Sequence, residues 1–153
     1  MGMTTAYDRL KTARNTARPT GRAYVHELFR DRLEDYRARA EAIQKAEIYH
    51  GAFAISVCPS EGLESPTVVG AQAANELLDI VGIKASFILT QMGDTIYFSA
   101  RSIDEINVQI IMERLGGGGH RTIAGAQLKG ATIDEAREKL KDLITDMMEK
   151  GEI

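Results

Sequence analysis

Residues 95–120, TIYFSARSIDEINVQIIMERLGGGGH, decide the fold, because three kinds of local structure follow one another within them. The first part, Thr95–Ser102, is rich in β-prone residues and predicts a strand. Apolar residues then recur at helical spacing, and the tetrad 102–105 has the hydroxyl-to-carboxylate spacing of a capping box. We therefore predict a helix that opens after this strand, ends at the glycine run 116–119 and leads into His120.

Upstream of this stretch, the sequence predicts a buried strand followed by a helix. Residues 51–58 form a short apolar run, and a turn-forming segment at 59–62 follows it. Ser65 offers an N-cap hydroxyl and Pro66 suits the first helical position. We expect the helix that begins there to continue to about Ile80.

Three further elements complete the predicted domain. Residues 84–90 are β-prone, and a Gly-Asp turn at 93–94 joins them to the strand that begins at Thr95, which predicts an antiparallel hairpin. Residues 123–129 predict another strand, and the tetrad 132–135 repeats the capping-box spacing before a last amphipathic helix. This order predicts an α/β fold, a mixed β-sheet of about four strands with helices packed on its faces, preceded by an N-terminal helix.

The chain divides into three predicted segments. Residues 1–22 lack apolar periodicity, and we expect a disordered lead-in or a sequence added for expression. Residues 23–46 show helical spacing of apolar residues between charges and predict a connecting helix. Residues 47–153 form the predicted ligand-binding domain.

Composition restricts the classes of function. The 153 residues carry a net charge of −3, and the acidic excess lies in the predicted domain, so binding along a nucleic acid through many Lys and Arg contacts is not expected. No apolar run approaches the roughly 18 residues that cross a bilayer. The single cysteine, Cys58, excludes a disulfide scaffold and favours a reducing compartment. We expect a cytoplasmic domain without direct membrane contact.

The glycine run is the first candidate for ligand binding. One glycine is enough to end a helix, whereas four in succession are present here. Backbone without Cβ atoms lets successive N–H groups converge on phosphate oxygens. The following His120 adds a donor or a proton carrier, and its contact with phosphate or with base stays open. A flexible hinge with a surface histidine is the alternative interpretation of the glycines alone.

Arg101 strengthens the phosphate hypothesis. It stands at the junction of the predicted strand and helix, one helix length before the glycine run, and its planar fork suits bidentate phosphate contact. The alternative is a surface ion pair with Asp104 or Glu105. Asn107, in the same predicted helix, is a candidate to bind phosphate or base, or else a polar residue on the solvent face.

No catalytic centre is predicted within this chain. Hydrolysis of a phosphodiester usually needs metal ions held by several Asp and His ligands, whereas His26, His50 and His120 fall in three separate elements. No serine stands on a nucleophile elbow. The residues therefore predict a binding surface without a reaction and without a metal or cofactor of its own.

Several motifs together resemble the C-terminal substrate-binding domain that accompanies the DHH domain of DHH-family phosphoesterases. These motifs are SARS at 99–102, NVQ at 107–109, GGGGH at 116–120 and AG at 124–125. Further stretches resemble the bacterial cyclic di-AMP phosphodiesterase branch of that family, namely AEIY at 46–49, AQAANELL at 71–78 and QIIME at 109–113. The resemblance covers about residues 25–153.

The resemblance implies a division of labour between two domains. A preceding DHH domain, absent from this sequence, would hold two manganese ions, while this domain grips cyclic di-AMP or a pApA-like dinucleotide and is inactive alone. The matching positions here are Arg101, Ser102, Asn107, Gly117, Gly118, Gly119 and His120. The first two would contact phosphate or sugar, the asparagine would support them, and the glycines and histidine would wrap a phosphate.

Two departures from the family pattern bear on the alternatives. Ile123 stands where a small residue is common in the exonuclease branch, which favours a cyclic dinucleotide role over a RecJ-like or oligoribonuclease-type exonuclease acting on single strands. Residues 1–21 match nothing in the family, whose full-length members carry membrane-spanning and sensory segments, so a membrane-anchored parent protein stays open. A homodimer and a non-catalytic interaction domain also remain open.

Overall fold

The computed structural model describes residues 32–153, so the predicted lead-in and the first part of the connecting helix lie outside the described residues. The rest of that connecting helix is α1. In chain order the elements are α1 (Leu33–Gln44), β1 (Glu47–Tyr49), β2 (Phe53–Cys58), α2 (Pro66–Leu78), β3 (Ala85–Met92), β4 (Thr95–Ser102), α3 (Val108–Arg114), β5 (Gly118–Gly119), β6 (Ile123–Lys129) and α4 (Ile133–Glu149).

The described strands form one mixed sheet in the order β1-β2-β3-β4-β6-β5. Strands β2 and β3 are parallel, with α2 as the crossover between them, and every other neighbouring pair is antiparallel. The predicted fold class is confirmed, including the hairpin between β3 and β4. The sheet exceeds the predicted four strands by β1 and β5, which are too short to produce a periodic pattern in the sequence.

Helices pack on both faces of the sheet. One face, contributed by β2, β3, β4 and β6, forms a core with α3 and α4 around Phe87, Ile111 and Leu140. The opposite face forms a second core in which α1 and α2 cover β2 and β3, with Leu77 and Ile88 fully buried. No residue of β4 or β6 belongs to this second core, so these strands have a partly uncovered surface beside α2.

The two predicted capping boxes have opposite outcomes. The tetrad 132–135 forms one, because the Thr132 hydroxyl accepts the Glu135 N–H while the Glu135 carboxylate accepts the Thr132 N–H. The prediction at 102–105 is wrong, since Ser102 pairs with β3 as the last residue of β4. The following helix instead begins at Val108, and the Asn107 side chain accepts hydrogen bonds from the backbone N–H groups of Gln109 and Ile110. Long-range pairing of β4 thus overrides a local capping pattern.

The start of α2 confirms only half of its prediction. Pro66 occupies the first turn, as expected from its fixed backbone angle. The Ser65 hydroxyl, however, makes no capping hydrogen bond, so this helix begins without the predicted side-chain cap.

The glycine run forms a sheet edge as well as a helix end. Gly116 has φ +87° and ends α3, and Gly118–Gly119 pairs with β6 as strand β5. A Cβ atom on Gly117 would collide with the Gly125 carbonyl oxygen and would lie 2.6 Å from the Ala126 Cα. At Gly118, by contrast, an added Cβ would meet no atom within 4 Å. Packing against β6 is therefore one reason why residue 117 must be a glycine.

We expect Gly117→Ala and Gly118→Ala to differ sharply in stability. The first substitution forces a methyl group into backbone and should destabilise the fold by about 1–3 kcal/mol, in the range of overpacking in a tight interior. The second places its methyl group in open space and should change the free energy of unfolding by less than about 0.5 kcal/mol. Urea unfolding of both variants measures the difference. Equal stabilities would contradict the close packing described for β5 and β6.

The caps of α4 and α2 give a second matched pair. Thr132→Ala removes both the hydroxyl acceptor and the geometry of the capping box, and should cost about 1 kcal/mol. Ser65→Ala removes a hydroxyl at a helix start where it makes no capping bond, so it should cost much less. Thermal or urea unfolding checks this order, and a larger loss for Ser65→Ala would contradict the assigned caps.

Candidate functional site

The structure separates two residues that the sequence analysis placed at one ligand. Arg101 and Ser102 are neighbours in β4, so their side chains point to opposite faces of the sheet. Ser102 is buried on the face of α3 and α4, and its hydroxyl donates to the Ile106 carbonyl at 2.6 Å. Arg101 lies on the other face, beside α2. Only the arginine side chain belongs to the uncovered surface.

This uncovered surface has four rows of side chains, of which the row at the hairpin end, Thr95 opposite Lys129, lies beyond the cleft described below. The register of β4 and β6 places Arg101 opposite Ile123, Ser99 opposite Gly125, and Tyr97 opposite Gln127. We name these six residues the open face. Its middle row carries only a hydroxyl and a bare backbone, so the surface is low at the centre and raised at both ends.

Arg101 is a half-buried cation whose donors are not all used. Its Nε donates to Asn75 Oδ1 at 3.0 Å and its Nη1 donates to the Ala100 carbonyl at 2.9 Å. Burial lowers the pKa of the guanidinium from its ordinary value, yet an arginine keeps its charge at neutral pH. Among residues 32–153 its Nη2 has no hydrogen-bond partner and no carboxylate forms an ion pair with it. The arrangement suits an anion.

The predicted alternative for Arg101, an ion pair with the acidic residues that follow it, is not found within the described part of the chain. Asp104 pairs with Arg121 at 3.2 Å, and Glu105 pairs with Lys84 at 2.9 Å. Both carboxylates therefore have other cations as partners.

Asn75, on α2, is a candidate site residue that was not identified from the sequence. It is half-buried, and its carbonyl oxygen holds the Arg101 Nε, while its amide nitrogen makes no hydrogen bond to the described residues. Its polar side chain in a helix rich in alanine and leucine was a usable signal. Its contact with β4, however, depends on tertiary packing that the sequence does not show.

The remaining predicted residues lie around the sheet edge formed by residues 116–119, which we name the glycine edge. Asn107 caps α3, because its side-chain oxygen Oδ1 accepts hydrogen bonds from two backbone N–H groups of that helix. His120 is exposed after β5, and its backbone N–H donates to the Ile123 carbonyl at 2.7 Å. The next residue, Arg121, accepts the Val108 N–H through its carbonyl oxygen. The glycine edge is thereby tied to the start of α3.

A cleft of about 510 Å³ connects the glycine edge with the open face. Its walls consist of Tyr97, Phe98, Gly116, Gly117, Gly125, Ala126 and Gln127. Arg101 and His120 are not among its lining residues. The structure thus brings Gly117 together with the open face. Arg101, the predicted phosphate contact, lies one row of side chains away from the cleft.

Neither a cluster of metal ligands nor a membrane-spanning helix occurs among residues 32–153. Within residues 32–153, no three His, Cys, Asp or Glu side chains come together as a set of metal ligands. The Nε2 of His50 instead lies 2.9 Å from the Thr145 hydroxyl. None of the helices in this part of the chain has the length and apolar character of a membrane span.

Comparison with known sequences assigns most of this structure to one family. The DHHA1 domain matches residues 52–146. The chain is 41% identical over 128 residues to the cyclic-di-AMP phosphodiesterase GdpP of Geobacillus thermodenitrificans, covering 83% of this chain and 19% of the relative. It is 42% identical over 129 residues to the cyclic-di-AMP phosphodiesterase PdeA of Listeria monocytogenes, covering 84% of this chain and again 19% of the relative.

A solved structure supports the fold. An exopolyphosphatase-related protein from Bacteroides fragilis superimposes with a TM-score of 0.66 at 18% identity, covering 77% of this chain and 36% of that one. The chain spans about a fifth of the length of the two phosphodiesterases. With the family match extending from β2 into α4, the chain belongs to the DHHA1 domain family.

Proposed function

We propose that this chain is the nucleotide-binding domain of a manganese-dependent cyclic di-AMP phosphodiesterase, working in the cytoplasm beside a DHH catalytic domain. Its substrate would be cyclic di-AMP or the linear dinucleotide pApA. The manganese and its ligands are assigned to the DHH domain. The isolated chain is accordingly expected to bind nucleotide without hydrolysing it.

The observation that carries the proposal is the environment of Arg101. A half-buried guanidinium normally stands beside a carboxylate, because an uncompensated charge is costly to remove from water. Here its described partners are two neutral oxygens, and one terminal nitrogen is left unused. A phosphate group would supply the missing negative charge and accept charge-assisted hydrogen bonds.

The relatives support the choice of phosphate chemistry. Both proteins named as cyclic-di-AMP phosphodiesterases match more than four fifths of this chain at 41% and 42% identity. The matched part is a small share of each relative, so their hydrolytic reaction enters here as a proposal about the assembled enzyme. Within that enzyme this domain would bind and orient the phosphate while the catalytic domain supplies the chemistry.

We assign the predicted residues two kinds of role. Arg101, Gly117 to Gly119 and His120 would contact the ligand, the arginine through its free donor and the glycines through their close backbone. Ser102 and Asn107 would act indirectly, because their hydrogen bonds hold the β4–α3 junction in place. Asn75 would hold the plane of the Arg101 guanidinium.

Arg101→Gln tests the proposal directly. The variant removes the cation but keeps a polar side chain, and should weaken binding of cyclic di-AMP and pApA about 10- to 100-fold, since a hydrogen bond to a charged group contributes about 1.5–3 kcal/mol. The matched control is Arg114→Gln, because Arg114 already pairs with Asp146 and Glu152. The control should bind within about twofold of the unmodified chain by NMR titration or calorimetry.

Other outcomes of the same titrations would contradict the proposal. Tighter binding of short single-stranded DNA than of either dinucleotide would favour the exonuclease alternative. Unchanged binding in Arg101→Gln, or no binding of any nucleotide by the unmodified chain, would favour a non-catalytic interaction domain.

A further inference from the structure

The end of the open face away from Arg101 presents an aromatic ring beside an amide. Tyr97 and Gln127 lie directly opposite each other on β4 and β6, so their side chains emerge on the same side of the sheet. Tyr97 is half-buried and Gln127 is exposed. Among residues 32–153, neither side chain has a hydrogen-bond partner and the tyrosine ring has no aromatic or cationic neighbour. Both groups are available to a ligand.

The cleft beside this pair is shaped by bare backbone. Gly116 and Gly117 line it at the glycine edge and Gly125 lines it on β6. Its volume of about 510 Å³ lies within the roughly 300–1,000 Å³ of small-molecule sites. A flat group has room to lie against the tyrosine ring there, since no side chain larger than hydrogen projects from these three positions.

The chemistry of the cleft differs from that around Arg101. None of the described residues that line it is charged. A second phosphate would therefore find no counter-charge among the residues that line the cleft, and Lys129 lies one row beyond it on the same face. An uncharged aromatic ring would find a stacking surface in Tyr97. The Gln127 amide offers a donor and an acceptor side by side, which is the arrangement that pairs with the edge of an adenine base.

We infer that this cleft binds a nucleobase, and that the base belongs to the nucleotide next to the one whose phosphate contacts Arg101. The inference rests on the proposed function, because it takes Arg101 as the contact for the phosphate. Tyr97 and Arg101 are four residues apart on β4, so their Cα atoms are separated by about 13 Å. The guanidinium is held towards Asn75 on α2 and not towards the cleft, so we assign the phosphate and the stacked base to two neighbouring nucleotides of a linear dinucleotide.

The inference predicts that Tyr97 distinguishes a dinucleotide from a mononucleotide. Tyr97→Ala should weaken pApA binding about 5- to 100-fold, as expected for the loss of one stacked base, and leave AMP binding within about twofold. Tyr97→Phe keeps the ring and should restore pApA binding. NMR titrations of the 153-residue chain with each ligand measure these affinities, and urea unfolding confirms that the variants are folded.

A glutamine pair gives a test that does not alter the tyrosine. Gln127→Ala should also weaken pApA binding selectively, because it removes the amide that faces the base. Gln91→Ala is its matched control, since Gln91 is exposed at the end of β3 and donates to the Gly93 carbonyl outside the cleft. The control should bind pApA like the unmodified chain.

Each result separates this inference from the proposed function. If Arg101→Gln weakens AMP and pApA while Tyr97→Ala and Gln127→Ala weaken neither, the base site is wrong and the phosphate site stands. Equal loss of AMP and pApA binding in Tyr97→Ala would likewise overturn the assignment to a second nucleotide. If the unmodified chain binds neither ligand, both proposals fail.

Discussion

The close packing of Gly117 against Gly125 and Ala126 is the constraint on which the rest of the site depends. Because Gly117 has no Cβ, the chain after α3 can lie against β6 and continue as the short strand β5. The hairpin that follows brings the Arg121 carbonyl to the Val108 N–H, which fixes the start of α3. The same approach leaves a cleft bordered by bare backbone. One steric requirement therefore positions the sheet edge, the helix and the cleft together.

A second constraint concerns charge. Arg101 is partly removed from water, yet its described hydrogen bonds go to an amide oxygen and a backbone carbonyl, which leave its charge uncompensated. Folding alone would favour a neutral side chain or a carboxylate partner at such a position. Residues that break a local rule of stability are expected at functional sites. The contrast with Arg114, which has two acidic partners on the surface, shows how the same residue type is used when it serves stability.

The sequence predicted those features that depend on local chemistry. The capping box at Thr132 and the Gly-Asp hairpin turn both formed, because each needs only residues close in the chain. The similar tetrad at Ser102 failed, since pairing of β4 with β3 holds that residue in the sheet. Because successive side chains of a strand alternate between faces, the sequence already implied that Arg101 and Ser102 point in opposite directions. The prediction that both contact one ligand overlooked this alternation. Asn75 could not be assigned, because only packing of α2 beside β4 brings it to the arginine.

The central claim is that the open face and the glycine edge form one nucleotide site. Chemical-shift mapping of the labelled chain during titration with pApA tests it most directly. The account predicts the largest shifts at the Arg101 side-chain N–H groups and at the amides of Ser99, Gly118 and Gly125, with small changes along α4. Shifts confined to α4 and the opposite face of the sheet, or saturable binding without any change at Arg101, would contradict it.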